Sequence, residues 1–273
     1  MKKFLTILVS GIILGLSLVV LAACSTPEVQ GSAYASRETL KYDVLDENGD
    51  VIGELTTVLT RYTSGSEMKT AHIDDDYTAG SVEGFTFVQT ATLNDGRTMT
   101  SEAVVDGFTT LAGYKKIDGT EISYKYNKKN YEYTLNGDSQ KKIKAANAVD
   151  NALLYVYPRT DENLSATFSV VDPVAREIYA LSVAKSTKTK TVSAEVFDLS
   201  LGETVKKTIS GDEYVFARTE APIGTPIYVY YSEESYKLYP AVNGLGAYNY
   251  SFRIPLIIIE NDLTYILTSA VAE

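Results

Sequence analysis

Asn48-Gly49, Asp95-Gly96, Asp106-Gly107, Asp118-Gly119 and Asn136-Gly137 punctuate the first half of this chain. Each is the favoured pair for the centre of a two-residue type I′ hairpin turn, because Asn, Asp and Gly tolerate the positive φ that both central positions need. From Gly96 to Gly137 the glycines of these pairs recur at intervals of 11, 12 and 18, and the longest interval holds a further turn signal, Asn127-Lys128-Lys129-Asn130. Strands of about six residues joined by tight turns give this rhythm. The expected fold is all-β, a long antiparallel meander forming a curved sheet or half-barrel.

The runs between the turns agree with this. Ile122, Tyr124 and Tyr126 alternate with Ser123 and Lys125, and Tyr131, Tyr133 and Leu135 alternate with Glu132 and Thr134. Period-two alternation puts one face on a core and one in water. The chain has 21 Tyr, 8 Phe and no Trp, and aromatic residues suit a pleated surface. One segment differs. Ile143, Ala146, Val149, Leu153 and Tyr157 recur at helical spacing, which predicts one helix over 141–157, stopped by Pro158 and lying across the concave side of the sheet. The second half returns to strands at 166–171, 175–184, 191–199 and 214–218, with a hairpin at 227–238 turning at Ser232-Glu233-Glu234-Ser235. An apolar strand at 254–259 then turns through Asn261-Asp262 into 263–268.

The N-terminal segment has another character. Met1-Lys2-Lys3 precede an apolar stretch from Phe4 to Leu21, which ends in Leu21-Ala22-Ala23-Cys24, with Cys24 the only cysteine. A basic start, an apolar core and small residues before a cut site are the parts of an export signal. With the cysteine, they resemble the lipobox of bacterial lipoproteins. The resemblance implies cleavage between Ala23 and Cys24, a diacylglyceryl group on the Cys24 sulfur, and a protein anchored to the membrane on its extracytoplasmic side. Two acyl chains anchor stably where one does not. The alternatives are an ordinary cleaved signal and a transmembrane anchor, for which an apolar run of about 18 residues is near the lower limit. The expected organisation is a signal peptide over 1–23, a polar tether over 24–36, a β-meander plus helix over 37–158, and a C-terminal β region over 159–273, continuous with the first or separate from it.

The formal net charge is −10 and becomes more negative by two when Lys2 and Lys3 leave with the signal. An acidic chain carries no electrostatic footprint for nucleic acid. With Cys24 acylated, no thiol remains for a disulfide, a metal or nucleophilic catalysis.

Chemical motifs are sparse. His72 is the only histidine and adjoins Asp74, Asp75 and Asp76. A Ser-His-Asp triad needs a base oriented by a carboxylate, but no Gly-x-Ser-x-Gly elbow is present, and a strand-end histidine entering an acidic turn is the plainer reading. The series from Asp74, and that from Asp46, Asn48 and Asp50, lack the glycine of an EF-hand loop, with Ala79 and Val51 at the sixth place. Gly244-Leu245-Gly246 lacks the third glycine of a dinucleotide loop. No catalytic residue, metal site or cofactor is therefore assigned. The densest aromatic group, Tyr228, Tyr230, Tyr231, Tyr236 and Tyr239, is a candidate ligand or partner face, with cross-strand pairing in one hairpin as the structural alternative.

Leu40-Lys41-Tyr42-Asp43-Val44, Gly49-Asp50-Val51-Ile52-Gly53 and the segment Ala148 to Arg159 before a second β region resemble exported β-meander domains, including half-barrels of the lipoprotein-carrier type and a related family of unknown function. The resemblance implies a concave sheet face that encloses apolar ligands. The function expected on these grounds is non-enzymatic: a lipid-anchored extracytoplasmic binding protein for an apolar envelope ligand. The alternatives are a module that binds a surface protein or serves structurally, and an envelope hydrolase.

Overall fold

The computed structural model describes residues 34–35, 37–62, 64–80, 84–106, 109–144, 148–160, 164–198, 203–219, 226–238 and 250–272. Among them every regular element longer than four residues is a strand. In chain order these are β1 (Tyr34–Ala35), β2 (Arg37–Leu45), β3 (Val51–Tyr62), β4 (Glu67–Met68), β5 (Tyr77–Thr78), β6 (Gly84–Leu93), β7 (Thr98–Asp106), β8 (Thr109–Ile117) and β9 (Thr120–Asn127). There follow β10 (Glu132–Leu135), β11 (Asp138–Lys144), β12 (Ala148–Asp150), β13 (Ser165–Asp172), β14 (Glu177–Asp198), β15 (Glu203–Arg218), β16 (Ile227–Leu238), β17 (Tyr250–Glu260) and β18 (Leu263–Ala272).

The turn chemistry sets the path. At Asp118-Gly119 φ is 48° and 79°, at Asn136-Gly137 it is 50° and 71°, and at Asn261-Asp262 it is 48° and 67°. These are the paired positive values of type I′ turns. At Asn48-Gly49 and Asp95-Gly96 only the glycine is positive, so these turns take the other common form, with one left-handed residue closing the hairpin. Asp46 braces the first of them by accepting from the backbone of Asn48 and Asp50, both at 2.9 Å. Gly107 lies outside the described residues.

Neighbouring strands pair in the order β11-β10-β9-β8-β7-β6-β3-β2-β18-β17-β16-β15-β14-β13-β12, so the meander is continuous from the first half to the second through β2 and β18. The sheet also curls onto itself. Glu195 and Val196 of β14 pair in parallel with Ser269 and Ala270 of β18, closing β14, β15, β16, β17 and β18 into a ring. At the other end Tyr124, Tyr133 and Leu135 pack on Ala148 and Val171 of β12 and β13. The runs expected at 175–184 and 191–199 are one 22-residue strand, β14. The expected hairpin at 227–238 is instead the single strand β16, irregular between Tyr231 and Ser235 but paired with β17 on both sides of that point.

The described residues of 141–157 do not form the expected helix. Residues 141–144 belong to β11, held antiparallel to β10 by the turn at Asn136-Gly137, and Ala148–Asp150 is β12, parallel to β13. Two short 3-10 turns follow, Asn151–Leu153 and Tyr157–Thr160, the first capped by the Asp150 carboxylate. An amphipathic helix buries one stripe. Here consecutive residues serve opposite walls. Leu153 packs on Leu59, Phe85 and Phe87, whereas Leu154 packs on Val170, Leu181 and Phe216. The connector 151–160 therefore threads the interior of the curved sheet and touches both sides.

Candidate functional site

The concave interior, where an apolar ligand was expected, is occupied by the chain's own connector. Arg159, 2 % exposed, is its centre. Nη1 and Nη2 donate to the two oxygens of Glu38 on β2 at 2.7 and 2.5 Å, and Nε donates to the carbonyl of Arg253 on β17 at 2.6 Å. Burial pulls the guanidinium down, but the Glu38 carboxylate outweighs it and holds Arg159 above its ordinary value. Arg253 in turn donates to the Tyr214 hydroxyl at 2.8 Å and to the Pro158 carbonyl at 2.7 Å. A fork-to-fork arginine–carboxylate pair is the strong form of this contact. Beside it Leu40, Tyr42, Phe87, Val156 and Arg159 line a cavity of about 10 Å³, space for about one water molecule.

Of the five tyrosines singled out in the sequence, Tyr228, Tyr230 and Tyr231 divide between the two faces of β16. Side chains alternate across a strand, and between Tyr228 and Tyr231 both faces of β16 are packed. Tyr228 and Tyr230 pack toward Val192, Ala194 and Leu256, while Tyr231 packs toward Tyr214 and Phe216 on the other side. Tyr230 is 3 % exposed and Tyr231 0 %. Tyr230 donates its hydroxyl to the buried Glu213, which also accepts from Ser186 at 2.7 Å. The Tyr236 side chain, Tyr239 and Cys24, the expected lipidation residue, lie outside the described residues.

His72 is more organised than its sequence context suggests. Its Nδ1 is 2.7 Å from Glu102 Oε1 and its backbone N–H donates to Glu102 Oε2 at 2.9 Å, while Thr70 Oγ1 donates to the same oxygen at 2.5 Å. The imidazole stacks on Tyr114 with centroids 4.2 Å apart. Its side chain is 48 % exposed, whereas that of Glu102 is 2 % exposed. In the neutral ring the Nδ1 proton belongs to the Glu102 bond, which leaves Nε2 as the basic nitrogen. Glu102 lies 30 residues away on β7, and no local spacing marked it as the partner of His72. The acidic residues nearby are spent on structure. Asp75 pairs with Lys125 at 2.6 Å, and Asp106 receives Gly80 N–H at 2.9 Å. Among the described residues no group of three or more His, Cys, Asp or Glu side chains is placed to hold a metal.

A second carboxylate that meets the connector has a consequence for pH. Tyr155 donates its hydroxyl to Glu260 at the end of β17. Burial pushes the Glu260 carboxyl above its usual range, more strongly than the Tyr155 bond holds it down. A raised carboxyl keeps its proton in the fold where the unfolded chain has released it. That contribution to stability is full below the unfolded pKa and is lost as pH rises through the folded value. Glu260→Gln keeps an acceptor for Tyr155 and buries no charge. Its urea midpoint should match that of the wild type near roughly pH 4 and exceed it near roughly pH 7. Equal midpoints at both values would show that Glu260 ionises freely in the fold.

No protein-family model matches this sequence, and no curated protein is similar to it in sequence. Among solved structures it is similar to a β-barrel-like protein of a domain of unknown function, DUF1849, from Brucella abortus, at 12 % identity and a TM-score of 0.48, over 88 % of this chain and 99 % of that one.

Proposed function

We propose that this protein is a lipid-anchored extracytoplasmic binding module that engages a cell-surface protein through its outer surface. The observation behind this reading is the occupied interior. A pocket for a small apolar molecule needs roughly 300 Å³ or more, and the space beside Arg159 is about 10 Å³. The anchor rests on Leu21-Ala22-Ala23-Cys24.

The test starts from membranes of the native host. The wild-type chain should enter the detergent phase and carry a diacylglyceryl group on Cys24, and Cys24→Ala should abolish both the modification and the cut before it. Solvent extraction of the purified protein should release no stoichiometric lipid, and cross-linking in cells should join it to one surface protein. A co-purified lipid that a fluorescent fatty acid displaces would restore the apolar-ligand reading. Hydrolysis of a cell-wall substrate that His72→Ala abolishes would make the protein an envelope hydrolase.

A further inference from the structure

Where β8 faces the start of the connector, an amine, a carboxylate and a primary amide meet. Lys115 points inward from β8 with its side chain 4 % exposed, and its Nζ stands 3.1 Å from Oδ1 of Asp150, whose side chain is 0 % exposed. The same Nζ donates to Oδ1 of Asn151, so the amide carbon lies one bond beyond that contact. Asp150 is fixed from two further directions. Tyr124 donates its hydroxyl to Oδ2, and Ala152 N–H donates to Oδ1 at 2.8 Å. Tyr124 lies where it does because its cross-strand partner on β8 is Gly113, at which a Cβ would overlap the phenol.

A buried lysine–aspartate pair needs no further partner to be a structural ion pair. The added feature is an amide carbonyl seated against the amine, with the carboxylate touching the same nitrogen. A lysine amine that has passed its proton to a neighbouring carboxylate is a nucleophile. Holding nucleophile and acyl group in contact replaces a bimolecular encounter with an intramolecular step.

We propose that Lys115 and Asn151 join in an intramolecular isopeptide bond, with Asp150 as the proton carrier. The Lys115 ammonium gives one proton to Asp150. The freed lone pair attacks Asn151 Cγ, forming the C–N bond and moving the carbonyl π electrons onto oxygen. The proton now in excess on the Lys115 nitrogen passes to the amide nitrogen through the Asp150 carboxyl. The C–N bond to that nitrogen breaks, the carbonyl reforms and ammonia leaves, taking the proton held by Asp150 to become ammonium. One amide bond is made, one is broken, nothing is oxidised or reduced, and Asp150 returns to its starting state.

The bond would close a loop between residues 36 apart and tie the connector to the wall it packs against. The chain's one cysteine, Cys24, gives it no disulfide with which to do so.

The test is peptide mass spectrometry on the purified, folded full chain after denaturation and proteolysis. The wild type should yield a branched peptide joining the Lys115 and Asn151 segments, lighter by one ammonia than the two linear peptides together. Lys115→Arg keeps a cation opposite Asp150 but supplies no primary amine. It should give only linear peptides and melt about 10 °C lower, as expected when a loop of this length loses its cross-link. Asp150→Asn should leave Lys115 and Asn151 unjoined, and a branched peptide persisting in it would overturn the carrier role. Wild-type protein yielding only linear peptides, with Lys115 and Asn151 unmodified, would overturn the bond itself.

Discussion

Arg159→Ala should lower stability by about 3–5 kcal/mol, the cost of leaving one member of a buried ion pair alone, and lower the melting temperature by roughly 10–15 °C. Glu38 is 1 % exposed and receives both forks of the guanidinium. Without Arg159 its carboxylate is left inside the curved sheet without a charged partner, and the Arg253 carbonyl loses its charged donor. Replacing both partners with Glu38→Leu and Arg159→Met should recover at least half of the loss, because two well-packed apolar side chains bury no charge. The four corners of this double-mutant cycle, measured by urea denaturation, separate the penalty of the orphaned carboxylate from the value of the pair. A single-variant loss below about 1 kcal/mol would mean that the connector is held by its apolar contacts alone.

Leu153→Ala should cost about 3–5 kcal/mol by opening a cavity beneath the sheet. Leu153 is 0 % exposed and fits among Leu59, Phe85, Phe87, Ala103 and Val105. These neighbours belong to β3, β6 and β7, strands paired on both edges, so they cannot close in on the space the side chain vacates. A dry apolar cavity that persists takes up small apolar molecules. Benzene should therefore raise the melting temperature of Leu153→Ala and leave that of the wild type unchanged. Equal effects on both proteins would indicate that the wild-type interior already admits such guests, and would count against a filled interior.

These two side chains mark the boundary of what local pattern carries. Leu153 is an apolar residue in a run that also reads as a helix, and Arg159 is a charged residue after a proline. Neither position has a neighbour in sequence that announces its environment. Arg159 finds Glu38 across 121 residues, and Tyr155 finds Glu260 across 105. Helical spacing and connector spacing coincide because a segment packed between two walls buries residues on both of its sides, and the count of apolar positions does not record direction. Tyr230 and Tyr231 of β16 separate onto two packed surfaces for a related reason. Their alternation states that two surfaces exist, and only the closure of β14 onto β18 covers the second of them.

The order of hairpins, the β class and the positions of the tight turns were settled by local chemistry. Positive φ at Asp118-Gly119 and Asn136-Gly137 is a conformation those residue types adopt at low cost, and two-residue alternation follows from the pleat itself. What the tertiary structure alone decided is the interior: which strand closes the sheet, which segment fills it, and which charges meet there. Those contacts join residues far apart in sequence. Their energies depend on burial and on the absence of water, quantities that exist only after the sheet has curled.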